Sequence, residues 1–136
     1  MNNSAAEIDR ALFATLNILY VEDADFTREA LAYYLKRRFN RVDVAGNGKK
    51  GLEMFQANPY DVVLTDVMMP VMDGLEMTRQ IKALNPAVPV IVISAYSDEE
   101  IRKRAAEAGV DEFLVKPFYP EKVCEIVNKY VTAQRQ

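Results

Sequence analysis

Histidine is absent from this 136-residue chain, and cysteine occurs once, as Cys124. The lack of histidine excludes a histidine-based catalytic triad, a histidine-containing zinc site and a histidine general base. A single cysteine cannot form a disulfide within the chain, and a lone thiol in a mildly acidic protein is typical of a reducing compartment. We therefore expect a cytoplasmic protein whose chemistry depends on carboxylates, hydroxyls and amines.

Long apolar runs and a one-sided charge are also missing. No stretch approaches the roughly 20 apolar residues of a membrane span, and residues 1–10 lack the basic start and apolar segment of a signal peptide. The 17 basic and 20 acidic side chains give a formal net charge of −3. Because the basic residues are scattered among acidic ones, we expect no direct binding to nucleic acid and none to membranes.

Five short apolar runs alternate with segments of helical periodicity, which predicts an α/β fold. The runs are residues 17–21, 41–45, 61–65, 88–93 and 112–115. Runs that are continuously apolar and β-branched are typical of parallel strands covered on both faces. Regular alternation of strand and helix with right-handed crossovers predicts a flavodoxin-like (βα)5 doubly wound sheet, with strand order 2-1-3-4-5.

Helix boundaries and apolar stripes can be predicted in the connecting segments. Asp25 and Asp73 are candidate N-caps, Gly109 follows the fourth helix, and Pro120 begins the last one. Residues at helical spacing form apolar stripes. They are Leu31 and Leu35; Met77, Ile81 and Leu84; Ile101, Ala105 and Ala108; and Val123, Ile126, Val127, Tyr130 and Val131.

The chain is expected to form one domain of residues 16–132, preceded by an extension, 1–15, and followed by a short tail, 133–136. Ala5, Ile8, Leu12 and Leu16 share one face of a possible short helix in the extension. We interpret this extension as a loose chain end, with a partner-binding helix as the alternative.

Polar residues with chemical potential follow four of the predicted strands. Glu22 and Asp23 follow the first strand, Asp66 the third, Ser94 the fourth and Lys116 the fifth. These strand ends meet at one edge of a doubly wound sheet, so the side chains are expected to converge. Clustered carboxylates repel one another unless a cation neutralises them, and an all-oxygen ligand set suits Mg²⁺.

Such a cluster is suited to phosphoryl transfer. A carboxylate flanked by a metal ion and the Lys116 ammonium is a poor base, but it can attack a phosphoryl group whose oxygens both cations stabilise. The Ser94 hydroxyl could donate a hydrogen bond to one of those oxygens. Each residue also has an ordinary interpretation as a helix entry, cap, turn or loop charge, and it is their convergence that favours a site.

The sequence closely resembles the CheY-like receiver domain of bacterial two-component response regulators. The resemblance covers roughly residues 16–131 and rests on segments 18–23, 61–74, 93–95 and 113–118, with Met69-Pro70 and Asp73-Gly74 highly specific. It implies that Asp66 accepts a phosphoryl group. It further implies that Glu22, Asp23, Asp66 and the Met68 backbone carbonyl hold Mg²⁺, and that Ser94 and Lys116 bind the phosphoryl oxygens.

The resemblance also implies a conformational switch. Ser94 would move toward the phosphorylated Asp66, and Phe113, in the family's switch position, would follow into the space vacated. The surface of helix four, strand five and helix five, including residues 98–108 and 120–131, would then change for a partner. We further expect Met68 and Tyr96 to shield the phosphoryl group from water, and a cis peptide bond at Lys116-Pro117 by analogy with the family.

Partners follow from the same resemblance. The phosphodonor histidine has to belong to a sensor histidine kinase or phosphotransfer protein, unless acetyl phosphate serves. The output would be a downstream effector protein or a fused domain. In this interpretation the chain is a phosphoacceptor and not an enzyme, apart from its own phosphorylation and dephosphorylation.

Three other functions are compatible with a fold of this class. A haloacid-dehalogenase-type phosphatase needs a second acid two residues after its nucleophile, where this chain has Met68. A mononucleotide or flavin site is disfavoured because residues 22–25 are acidic, and residues 46–50 are interpreted as a loop into the second helix. The remaining alternative is a receiver-fold module that binds partners without phosphorylation.

Overall fold

Strands and helices alternate along the chain from Asn17 onward. The computed structural model describes residues 10–134. In chain order the elements are α1 (Arg10–Phe13), β1 (Asn17–Val21), α2 (Asp25–Lys36), β2 (Arg41–Ala45), α3 (Gly48–Ala57), β3 (Val62–Thr65), α4 (Gly74–Leu84), β4 (Val90–Ser94), α5 (Glu99–Ala108), β5 (Glu112–Val115) and α6 (Pro120–Gln134).

The five strands form one parallel sheet in the order β2-β1-β3-β4-β5. This confirms the predicted flavodoxin-like class and strand order. Three predicted strands have the observed bounds, whereas β3 begins one residue later than predicted and β4 is shifted to Val90–Ser94. Pro89 explains the later start of β4, because proline has no N–H for the ladder and here contributes only its carbonyl, which accepts from Val63 N at 2.9 Å.

Both faces of the sheet are buried. Alternate residues of β1 point to opposite faces, so Ile18 and Tyr20 pack with α2 and α6, whereas Leu19 and Val21 pack with α3 and α4. All four residues are at most 1% exposed. Double coverage accounts for the continuous apolar runs that predicted these strands.

Three of the four predicted helix boundaries are confirmed. Asp73 caps α4 by accepting from Leu75 N and Glu76 N at 2.9 and 2.8 Å. Gly109 ends α5 in the left-handed conformation, with φ of 94°, and Pro120 begins α6. The N-cap prediction for Asp25 is wrong.

The N-cap of α2 is Ala24, which makes no side-chain capping bond. Asp25 is the first helical residue, where its carboxylate lies 2.7 Å from Nη2 of Arg28. Another departure concerns Leu84: Met77 and Ile81 are buried as predicted, but Leu84 is 55% exposed where α4 ends.

The segment before β1 contributes to the core. Phe13 is 1% exposed and stacks on Phe39 with ring centroids 4.5 Å apart. Leu16 is also buried, and its carbonyl accepts from the backbone of Asn40. Ala5 and Ile8, which belong to the predicted helical face of the extension, lie outside the described residues. Within residues 10–134, no helix is long and apolar enough to cross a membrane.

Candidate functional site

Four of the predicted site residues, Glu22, Asp23, Asp66 and Lys116, lie together at the edge where the parallel strands end. The sheet's hydrogen bonding continues one residue beyond three strands and thereby places the side chains. Glu22 N donates to Ala45 O, Asp66 N to Val21 O, and Lys116 N to Ser94 O, at 2.9–3.0 Å. The backbone geometry of the sheet therefore positions groups that are far apart in the sequence.

Three carboxylates form an acidic cluster at this edge. Glu22, Asp23 and Asp66 each provide one oxygen, and these oxygens all lie within 4.8 Å of one another. Glu22 is buried, Asp23 is exposed and Asp66 is half-buried. Hard oxygen donors of this kind fit Mg²⁺, which takes one or two carboxylates directly and keeps several waters. The residues present are thus suited to hold that ion.

Glu22 is the most deeply buried member of the cluster, at 2% exposure. Its Oε2 accepts from Ala24 N at 3.1 Å, and its Oε1 accepts from Nζ of Lys116 at 3.2 Å. Burial raises the pKa of the Glu22 carboxyl above its usual value, and the Asp66 carboxylate adds to this effect, while the two hydrogen bonds oppose it. A bound cation would favour the ionised form of this side chain.

Asp66 is held from two sides. Its Oδ1 accepts from Val67 N at 2.7 Å, and its Oδ2 lies 3.4 Å from Nζ of Lys116. The side chain is 13% exposed. A carboxylate that is fixed in orientation, reachable from solvent and paired with an ammonium is suited to act as a nucleophile toward phosphorus.

Lys116 bridges Glu22 and Asp66 and is 26% exposed. Burial disfavours its charged form, but the carboxylates of Asp66 and Glu22 outweigh that effect and raise the pKa of the ammonium. Lys116 therefore stays charged at neutral pH. The peptide bond between Lys116 and Pro117 is cis, as the family resemblance implied.

Ser94 lies at the end of β4 and is fully buried. Its Oγ accepts from Tyr96 N at 3.0 Å, which fixes the start of the following loop. Phe113, on the neighbouring strand β5, is half-buried and opposite Val92 in the register. Met68 and Tyr96 lie two residues beyond Asp66 and Ser94, and both are mostly exposed, at 55% and 57%.

Two contacts near the acidic cluster were not predicted from the sequence. Arg28, whose side chain is 17% exposed, donates from Nη1 to the Glu22 carbonyl at 2.8 Å and holds the segment after β1 against α2. Gly74 N donates to Val67 O at 2.8 Å, and a Cβ at Gly74 would collide with the Asp66 carbonyl oxygen. The Asp73-Gly74 motif in the sequence could have predicted the Gly74 contact. The spacing of Asp25 and Arg28 predicts only an ion pair within a helix, and not the contact of Arg28 with the Glu22 carbonyl.

Comparison with known proteins identifies the class to which this fold and site belong. Residues 18–128 match the family described as the response regulator receiver domain. The chain belongs to the response regulator receiver domain family, which acts in two-component signalling.

Two curated relatives illustrate the family's range. The chain is 34% identical over 116 residues to the chemotaxis protein CheY of Halobacterium salinarum, covering 85% of this chain and 97% of CheY. It is 47% identical over 102 residues to a cyclic di-GMP phosphodiesterase of Thermotoga maritima. That match covers 75% of this chain but only 27% of the phosphodiesterase.

A solved structure has the same fold and a similar sequence. The N-terminal domain of an uncharacterized protein from Wolinella succinogenes superposes with a TM-score of 0.82 at 38% identity, covering 89% of this chain and 98% of that domain. The chain therefore has the receiver fold, with strand order 2-1-3-4-5.

Proposed function

We propose that this chain is a phosphorylation-activated signalling switch in which Asp66 accepts a phosphoryl group. The observation that carries the proposal is the position of Asp66, which lies in a cluster with Glu22 and Asp23 and beside Lys116. Family membership supports the same function, because receiver domains are the signalling domains of response regulators.

The transfer uses a phosphohistidine of a sensor histidine kinase or phosphotransfer protein as donor. An Asp66 carboxylate oxygen attacks the phosphorus, the P–N bond breaks, and its electron pair returns to the imidazole of the donor. The 136 residues contain no histidine, so this donor lies elsewhere. Acetyl phosphate can replace it by the same displacement, with acetate as the leaving group.

The surrounding side chains stabilise the phosphoryl oxygens. Lys116, already 3.4 Å from Asp66 Oδ2, moves its ammonium onto one of these oxygens, and Ser94 donates its hydroxyl to another. Glu22, Asp23, Asp66 and the Met68 backbone carbonyl would hold Mg²⁺, which supplies positive charge against the oxygens of the transferred group.

Activation changes a surface distant from Asp66. The phosphoryl group adds a charge of about −1.5 to −2 and draws Ser94 toward it, and Phe113 turns inward. The surface formed by α5, β5 and α6 then repacks and meets an effector protein or a fused output domain. This is a shift between two conformations of one sequence.

Met68 and Tyr96 set the lifetime of the phosphorylated state. Both side chains are exposed and lie two residues beyond Asp66 and Ser94 in the chain, and we expect them to limit the approach of water to the phosphoryl group. We expect the double variant Met68→Asn with Tyr96→Glu to lose phosphate faster than the native chain, measured as the decay of the phosphorylated mass. An unchanged decay would contradict this role.

The deciding experiment is the intact mass of the chain after incubation with acetyl phosphate, with and without Mg²⁺. The native chain should gain one phosphoryl group only with Mg²⁺, and Asp66→Asn should gain none. Asp25→Asn is the matched control, because its side chain is 81% exposed and outside the acidic cluster. It should be phosphorylated like the native chain.

If the native chain forms no adduct, its binding of fluoroberyllate, which mimics a phosphoryl group on a carboxylate, distinguishes two explanations. Binding of fluoroberyllate with Mg²⁺ would show that Asp66 is functional but is not phosphorylated by small donors. An absence of both the adduct and fluoroberyllate binding would overturn the proposal and favour a module that binds partners without phosphorylation.

A further inference from the structure

Arg102 on α5 joins two parts of the proposed switch. Its Nε donates to the Ser97 carbonyl at 3.1 Å, in the loop that follows β4. Its guanidinium carbon lies 4.7 Å from the centroid of the Phe113 ring on β5. One side chain thus contacts both the loop that begins at Ser94 and the aromatic residue proposed to move.

Packing alone does not enclose the Phe113 ring. The half-buried ring packs against an apolar cluster that includes Val92 and Ala105. Beside it, a cleft of about 170 Å³ separates α5 from β5 and is bordered by Phe113, Arg102 and Val110. The cation over the ring face is therefore a specific contact that favours the observed position of Phe113.

The loop contact links Arg102 to Ser94. Ser94 Oγ accepts from Tyr96 N, and Asp98 caps α5 by accepting from Ile101 N at 2.9 Å. The intervening Ser97 carbonyl accepts from Arg102. A displacement of Ser94 toward Asp66 would pull on this short loop and strain the arginine contact.

We propose that Arg102 is a positioning residue that holds Phe113 in its observed half-buried position and thereby opposes the activated conformation. This inference rests on the proposed function of Asp66 and Ser94. An exposed cation–π contact changes a conformational equilibrium by about 2- to 5-fold. Because the apparent affinity for a ligand of a minor conformation scales with its population, removing Arg102 raises that affinity by the same factor.

The test measures the affinity of the full chain for fluoroberyllate in the presence of Mg²⁺. Arg102→Ala should bind about 2- to 5-fold more tightly than the native chain. Lys103→Ala is the matched control, since this exposed neighbour carries the same charge but has no ring contact among the described residues. Loss of its positive charge should leave the affinity for an anion unchanged or slightly weaker.

A second arm shows whether the effect passes through Phe113. In a Phe113→Leu background, Arg102→Ala should give no further gain in affinity. In the native chain, NMR should show side-chain protons of Arg102 shifted by the ring current of Phe113, and fluoroberyllate should abolish that shift. A merely structural role of Arg102 would leave the shift in place.

The outcomes separate the two proposals. If the native chain neither binds fluoroberyllate nor forms the acetyl phosphate adduct, the proposed function fails, and control by Arg102 fails with it. If the native chain binds but Arg102→Ala and Lys103→Ala have the same affinity, only the inference about Arg102 is overturned. A gain that persists in the Phe113→Leu background would likewise exclude coupling through the ring.

Discussion

Val71 holds a strained backbone conformation in the loop between Asp66 and α4. Its φ is 71°, and Met72 N donates to the Pro70 carbonyl at 2.8 Å across it, which defines a γ-turn of the uncommon strained type. A β-branched residue is poorly suited to positive φ. The side chain is 77% exposed, so its removal sacrifices little packing.

We expect Val71→Gly to stabilise the protein. Strain of this kind costs about 1–3 kcal/mol. Glycine relieves it but also gives the unfolded chain more freedom, which costs about 0.4–1 kcal/mol. The net gain in the free energy of unfolding is about 1 kcal/mol, the difference between these ranges. Asparagine also tolerates positive φ, so Val71→Asn should stabilise the protein as well.

Urea unfolding followed by circular dichroism measures this gain as a higher midpoint at an unchanged slope. Val71→Ala is the matched control, because alanine removes the branched side chain but keeps the Cβ that disfavours positive φ. It should recover less than Val71→Gly. Equal stability of the glycine and native chains, or a larger gain from alanine, would refute the assignment of strain to Val71.

The other predictions concern the site and one helix. Gly74→Ala should destabilise the protein by about 1–3 kcal/mol in urea and reduce the acetyl phosphate adduct, because its Cβ displaces the Asp66 carbonyl. Gly46→Ala, whose Cβ meets only ordinary contacts, is the control. Lys116→Gln should strengthen Mg²⁺ binding by calorimetry, since it removes a competing cation, yet weaken fluoroberyllate binding; a parallel change in both would contradict the proposed roles. Burial and hydrogen bonding raise the pKa of Tyr130 to about 12, so its stabilising contribution is complete below the unfolded pKa of about 10 and is lost as pH rises through 12. Native chain and Tyr130→Phe should therefore differ by about 0.5–1.5 kcal/mol at neutral pH. This difference should shrink above pH 10 and disappear before pH 12, and a constant difference would exclude this linkage.

The sheet could be predicted because its pattern is local. Strands buried on both faces require continuous apolar runs, and the helical period between them leaves few right-handed arrangements of five parallel strands. The shift of β4 to begin at Val90 follows from Pro89, whose missing N–H is also a local property. The N-cap of α2 was harder to predict. The sequence favoured Asp25, but the structure has Ala24 at this position. Arg28 contacts the Asp25 carboxylate within the helix and the Glu22 carbonyl outside it, and the second contact depends on the fold.

The site could be located but not described from the sequence. Positions directly after parallel strands meet at one edge of the sheet, and this rule predicted that Glu22, Asp66 and Lys116 lie close together. It did not indicate which oxygens Lys116 contacts. Nor did it indicate the ring contact of Arg102 with Phe113, because cation–π pairs depend on how a helix surface faces a neighbouring strand.

The sequence by itself determined the periodicities, the strand order that satisfies them and the set of charged groups at one edge. Only the tertiary structure decided the burial of Glu22, the strain at Val71 and the ion pairs of Lys116. Lys116 contacts Glu22 across 94 residues and Asp66 across 50. Such contacts depend on packing between distant segments, where a shift of about one ångström separates a hydrogen bond from no bond at all.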